Sequence, residues 1–124
     1  MMMTSYKDLQ VWQEAMDLTS LLYETVKKLP KNETYALSDQ MRRVAVSIPS
    51  NIAEGYGRNS SKSYAHFLSV ARGSAYEFET RFLLCPRTHH LSSDDIHPLI
   101  DIISELVKML TSLINKLCPP KPKN

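Results

Sequence analysis

Between Leu37 and Arg58 the chain reads LSDQMRRVAVSIPSNIAEGYGR, and this stretch permits few folds. Leu37, Met41, Val44, Ile48 and Ile52 recur every three or four residues, which places them on one face of an α-helix. Pro49 falls inside that pattern. It lacks a backbone donor and its ring crowds the preceding turn, so a kink is expected near residues 45–48. The hydroxyls of Ser47 and Ser50 are expected to meet the freed carbonyls. Gly55 and Gly57 are expected to stop the helix in left-handed conformations, and Ser60 or Ser61 to cap the next one.

Three further segments have helical period. The first spans residues 5–28 and carries two adjacent stripes: Leu9, Trp12, Met16, Thr19, Tyr23 and Val26, then Val11, Ala15, Leu18, Leu22 and Leu29. An apolar arc that wide predicts contacts on two sides. Pro30 ends this helix, and Lys27 and Lys28 suit its negative end. The third segment spans 61–84, with Tyr64, Phe67, Leu68, Ala71, Ala75, Phe78 and Phe82 inward and Arg72, Glu77, Glu79 and Arg81 outward. Gly73 costs about 1 kcal/mol relative to alanine in mid-helix, and close approach of another helix is the expected compensation. The fourth segment, 93–117, carries a sustained apolar stripe from Ile96 to Leu117 and a capping sequence at Ser92–Asp95.

Only three glycines and 43% hydrophobic residues in 124 fit one helical domain with a real core. Short connections make consecutive helices antiparallel. The expected fold is all-α: an antiparallel up-down four-helix bundle with a Pro-kinked second helix, spanning residues 1–117. Residues 118–124 form a Pro/Lys-rich tail, expected to be extended or disordered. No apolar run reaches a membrane span, and the first ten residues do not read as a secretory signal, so a cytoplasmic location is expected. Cys85 and Cys118 are then expected to be reduced.

The stretch PKNETYALSDQMRRVAVSIPSNIAEGYGR, followed by FLSVARGSAYEFE, resembles the family of 23S ribosomal RNA intervening-sequence proteins. Leu37, Gln40, Arg43, Ser47, Ile48, Asn51, Ile52, Ala53, Glu54 and Gly55 occupy the first part of its pattern. Phe67, Leu68, Ala71, Gly73 and Ser74 occupy the second. The opening Leu9-x-Val11-Trp12 is also similar, and the likeness covers about residues 5–117. It implies a bacterial protein and a kinked four-helix bundle assembled into a homopentameric ring. The family includes the accessory variability determinant of diversity-generating retroelements, a ring that binds a reverse transcriptase and nucleic acid. For most members it implies no biochemical activity. The segment Cys85-Pro86-Arg87-Thr88-His89-His90 departs from the family, which continues its helix here; Pro86 should end the third helix early or kink it.

The net charge of +2 is spread evenly. Only residues 61–90 show a local excess, with four basic and two acidic side chains. A single chain so balanced is not expected to bind nucleic acid strongly, although a ring would repeat any basic patch.

Catalytic chemistry is hard to find. Cys85, His89, His90 and His97 lack the paired spacing of zinc ligands. No Glu-x-x-His pair of a di-iron bundle occurs, and no glycine-rich phosphate loop. No histidine follows an arginine at the spacing of bundle-type ribonucleases. The expectation is therefore no catalytic residue, no metal and no cofactor. Two sets of interaction residues stand out. Arg42, Arg43, Asn51, Glu54 and Arg58 make a polar set on the second helix, fit for a subunit or phosphate contact or for tying down the turn. Lys62, Arg72, Arg81 and Arg87 are the candidate nucleic-acid contacts. The expected function is a non-enzymatic oligomeric scaffold or accessory with weak nucleic-acid binding; the alternative is an RNA-processing nuclease of bundle type.

Overall fold

Helices α1 (Gln10–Thr25), α2 (Thr34–Tyr56), α3 (Ser61–Leu84) and α4 (Ser93–Leu117) form an all-α bundle. The computed structural model describes residues 4–30 and 34–121, excluding the side chains of Thr34 and Tyr35. Expectations that touch 1–3, 31–33 and 122–124 lie outside the described residues. Each helix packs on the next in chain order, and α1 also packs on α4, which closes the square. Side-chain contacts tie each neighbouring pair, and those between helix ends, Gln40 with Arg81 and Lys28 with Asp95, run start to end as antiparallel neighbours require. Thr19 meets Ala45, Gln40 meets Arg81, Arg72 meets Thr111, and Lys28 meets Asp95.

The sequence explains where each helix starts and stops. Ser60 accepts from the Ser63 amide and caps α3. Ser92 and Asp95 form a reciprocal capping box on α4. Three-residue 3-10 turns flank α1, Tyr6–Asp8 before it and Val26–Lys28 after it. Pro86 stops α3 as expected, and the turn behind it contains the one non-glycine residue with positive φ among those described, His89 at 60°.

The core is a single cluster from all four helices, with Leu18, Leu22, Met41, Ile48, Ile52, Leu68, Phe78, Phe82, Leu99, Ile103, Leu106 and Leu110 fully buried. Fully burying one such side chain is worth about 1.5–3 kcal/mol. On α1 the stripe through Val11, Ala15, Leu18 and Leu22 takes the core. The adjacent stripe divides: Leu9 and Val26 at its ends are buried in the core, while between them Met16 and Tyr23 are left 42% and 43% exposed.

Pro49 lies inside α2, where the sequence places it. Several local expectations are corrected. The carbonyl that the Pro49 ring deprives is that of Ala45, approached at 3.4 Å by the Thr19 hydroxyl of α1. Ser47 instead donates to the Val44 carbonyl at 2.7 Å. Neither Gly55 nor Gly57 has positive φ. Gly55 is needed for close approach: a Cβ there would stand 2.8 Å from the Cβ of Phe67 and 3.1 Å from the Tyr64 ring. Gly73 is the reverse case. It is exposed, and a Cβ there would meet nothing within 4 Å, so no helix of this chain approaches it. Of the four charged residues expected outward on α3, only Glu77 is exposed; Arg72, Glu79 and Arg81 are half-buried along its flanks.

Candidate interaction surfaces

The polar set on α2 divides into two groups. Arg42 and Arg43 stand about 12–18 Å along the axis from Asn51 and Glu54 at 1.5 Å per residue. Arg42 leans over the Tyr23 ring, 5.2 Å from its centroid, and lies 3.6 Å from Asp39 Oδ1. Arg43 is exposed and has no ion pair among the described residues. At the other end Asn51 donates to the Ser47 carbonyl at 2.7 Å. Arg58 donates to Glu54 one turn back and covers the Phe67 ring at 4.5 Å. Arg58 thus ties the end of α2 to α3, while Asn51 and Glu54 bond within α2 and its exit. An open cleft of about 380 Å³ lies beside them, lined by Tyr6, Ser50, Ala53, Glu54, Gly57 and Arg58.

The candidate phosphate contacts are not brought together. Arg72 donates to the Thr111 hydroxyl at 3.1 Å, tying α3 to α4. Arg81 donates to the Gln40 side chain at 2.9 Å, tying α3 to α2, and its Nε lies 3.9 Å from Glu77. Lys62 and Arg87 are exposed and make no ion pair among the described residues. They sit at opposite ends of α3, which alone spans about 36 Å.

Apolar surface is where the bundle is least self-sufficient. In the square arrangement the α1/α2 face and the α3/α4 face lie on opposite sides. Met16, Tyr23 and Val46 are between 42% and 43% exposed on the first. Tyr76 and Leu83 are 50% and 51% exposed on the second, about one turn and just over three turns beyond Arg72. Val107 and Ile100 of α4 lie half-buried beside them, four and eleven residues before Thr111. The wide arc on α1 signalled the first face in the sequence. The second went unread, because Tyr76 and Leu83 sit among polar neighbours at positions that look like a solvated flank.

No group of three His, Cys, Asp or Glu side chains fit to hold a metal ion occurs among the described residues. Cys85 is buried, bonds weakly to the Arg81 carbonyl at 3.4 Å, and has its thiol pKa pushed up by that burial, which disfavours the nucleophilic thiolate. Burial, with Tyr56 adding to it, likewise raises the Tyr64 phenol. No described helix is long and apolar enough to cross a membrane.

The family model described as 23S rRNA-intervening sequence protein matches residues 7–112. Among solved structures, the bundle is similar to a protein of unknown function from the S23 ribosomal protein family of Bacteroides thetaiotaomicron. The TM-score is 0.77 at 24% identity, covering 84% of this chain and 97% of that one, a likeness of fold. Comparison with curated proteins returns no match.

Proposed function

The chain belongs to the 23S rRNA-intervening sequence protein family, and from that premise we propose that it acts as a non-enzymatic, self-assembling scaffold: a homopentameric ring that contacts nucleic acid weakly or seats a protein partner. One observation carries this reading, the pair of exposed apolar faces on opposite sides of the bundle. Exposed apolar patches mark interaction sites. A two-fold dimer would cover one face and leave the other in water. Head-to-tail association covers both in every subunit, and it closes when the rotation per subunit divides a full turn. The number five comes from the family resemblance.

Nucleic-acid contact in this reading belongs to the assembly. Arg58, Arg72 and Arg81 are hydrogen-bonded within the chain, and Arg42 lies on the α1/α2 face against the Tyr23 ring, which leaves Arg43, Lys62 and Arg87 for phosphate. Repeated around a ring, these cations supply a sequence-independent attraction that falls steeply with salt. Base readout is not expected, for lack of a recognition motif or a stacking array. The test is a titration of labelled RNA and DNA at low and physiological salt, with and without a divalent metal. Binding at low salt that weakens sharply at physiological salt, with the RNA left intact, is expected. Metal-dependent cleavage by nuclease-free preparations would overturn the scaffold reading.

A further inference from the structure

The two exposed faces carry matching patterns of opposite charge. On α2, Arg42 lies over the Tyr23 ring at 5.2 Å, and Val46 follows it by one turn at 42% exposed. The cation is therefore set between two apolar side chains. Its carboxylate neighbour, Asp39, is 3.6 Å from Nη1, outside hydrogen-bond distance, and its buried Nε has no hydrogen-bond partner. The side chain is 37% exposed, so a group arriving from outside can reach its terminal nitrogens.

On α3, Glu79 follows Tyr76 by three residues and precedes Leu83 by four, so the three lie together on one side of the helix. Tyr76 and Leu83 are half-exposed. Glu79 is half-buried between them and makes no hydrogen bond or ion pair among the described residues. A carboxylate partly withdrawn from water without a partner costs free energy, as does an under-satisfied guanidinium.

We propose that Arg42 of one copy pairs with Glu79 of the next, seating the α1/α2 face of each subunit on the α3/α4 face of its neighbour. This rests on the head-to-tail reading above and names the surfaces that build it. A second copy of this chain is the occupant that brings, in one contact, a carboxylate flanked by Tyr76 and Leu83 to a guanidinium flanked by Tyr23 and Val46. Burial of the flanking apolar groups dries the pair, where charge-assisted Arg–carboxylate bonds are short and directional. The pair also fixes register, and it opposes stacking of like faces, which would bring Arg42 against Arg42 or Glu79 against Glu79.

The test is a charge swap read by native mass and by helical circular dichroism. Wild type, Arg42→Glu, Glu79→Arg, the double reversal and the isosteric Glu79→Gln are compared over a dilution series. Each single reversal is expected to raise the concentration at half-dissociation at least tenfold with helicity retained, Glu79→Gln to raise it less, and the double reversal to recover most of the loss. Single variants that assemble like wild type would overturn the pairing and leave the ring standing. So would a well-folded double reversal that recovers nothing. A wild-type chain that stays monomeric throughout would overturn the ring and the pairing with it.

Discussion

A methyl group placed on Gly55 would stand 2.8 Å from the Cβ of Phe67, closer than packed carbon atoms tolerate. The α2–α3 crossing is set by that missing side chain, with Tyr64 packing edge-to-face on Tyr56 beside it. Gly55→Ala should therefore destabilise the bundle by about 1–3 kcal/mol through overpacking. Gly73→Ala, which adds its methyl to open space on an exposed helix surface, should stabilise the isolated subunit by up to about 1 kcal/mol. Urea denaturation of the two variants reads both signs at once.

The core gives a sharper loss. Phe82 is fully buried and stacks on Phe78 with ring centroids 4.6 Å apart. Phe82→Ala should cost about 3–5 kcal/mol. A loss under about 1 kcal/mol by calorimetry would mean that α3 does not insert into the core at this position.

Asp95 should give the acid limb of the stability curve part of its shape. The Lys28 ammonium 3.0 Å away holds its carboxyl below the usual carboxylate range, helped by the Ser92 amide and hydroxyl. A lowered folded-state pKa stabilises the fold above the unfolded value, about 3.9. That contribution is lost as pH falls through the folded value. Asp95→Asn should remove this acid dependence and uncouple the end of α1 from the start of α4. Melting temperatures between pH 2 and pH 7 should then show a flatter acid limb for the variant, and an unchanged slope would rule the linkage out.

Asn51 and Glu54 bond within one turn of α2 and its exit. Their joint replacement by alanine should lower stability by about 1–2 kcal/mol, the range of one side-chain hydrogen bond plus one exposed ion pair. Binding to RNA or DNA should stay within about twofold of wild type. A large loss of binding with little loss of stability would make them ligand contacts.

Helix identity, and the limits of α3 and α4, were legible in the sequence because periodicity, proline and capping residues act locally; the first helix, expected over 5–28, is α-helical only over Gln10–Thr25. Ser60, Ser92 and Pro86 fix their boundaries within a turn of chain. Contacts between helices were not legible. Nothing around Pro49 says that the Thr19 hydroxyl of α1, which also reaches the Ala15 carbonyl at 2.9 Å, would come within 3.4 Å of the deprived Ala45 carbonyl. Gly55 and Gly73 look alike as helix glycines, yet one faces Phe67 and the other faces open space. The contacts of the arginines to Thr111, Gln40 and the Phe67 ring were not legible because those partners lie on other helices or past a turn.

The central claim is that opposite faces of the bundle assemble head to tail into a closed ring, and native mass measurement of the wild-type chain at micromolar concentration tests it most directly. The account predicts one dominant species at five times the 14.2 kDa of a single chain. A stable monomer, or a two-fold dimer that does not grow with concentration, would contradict it.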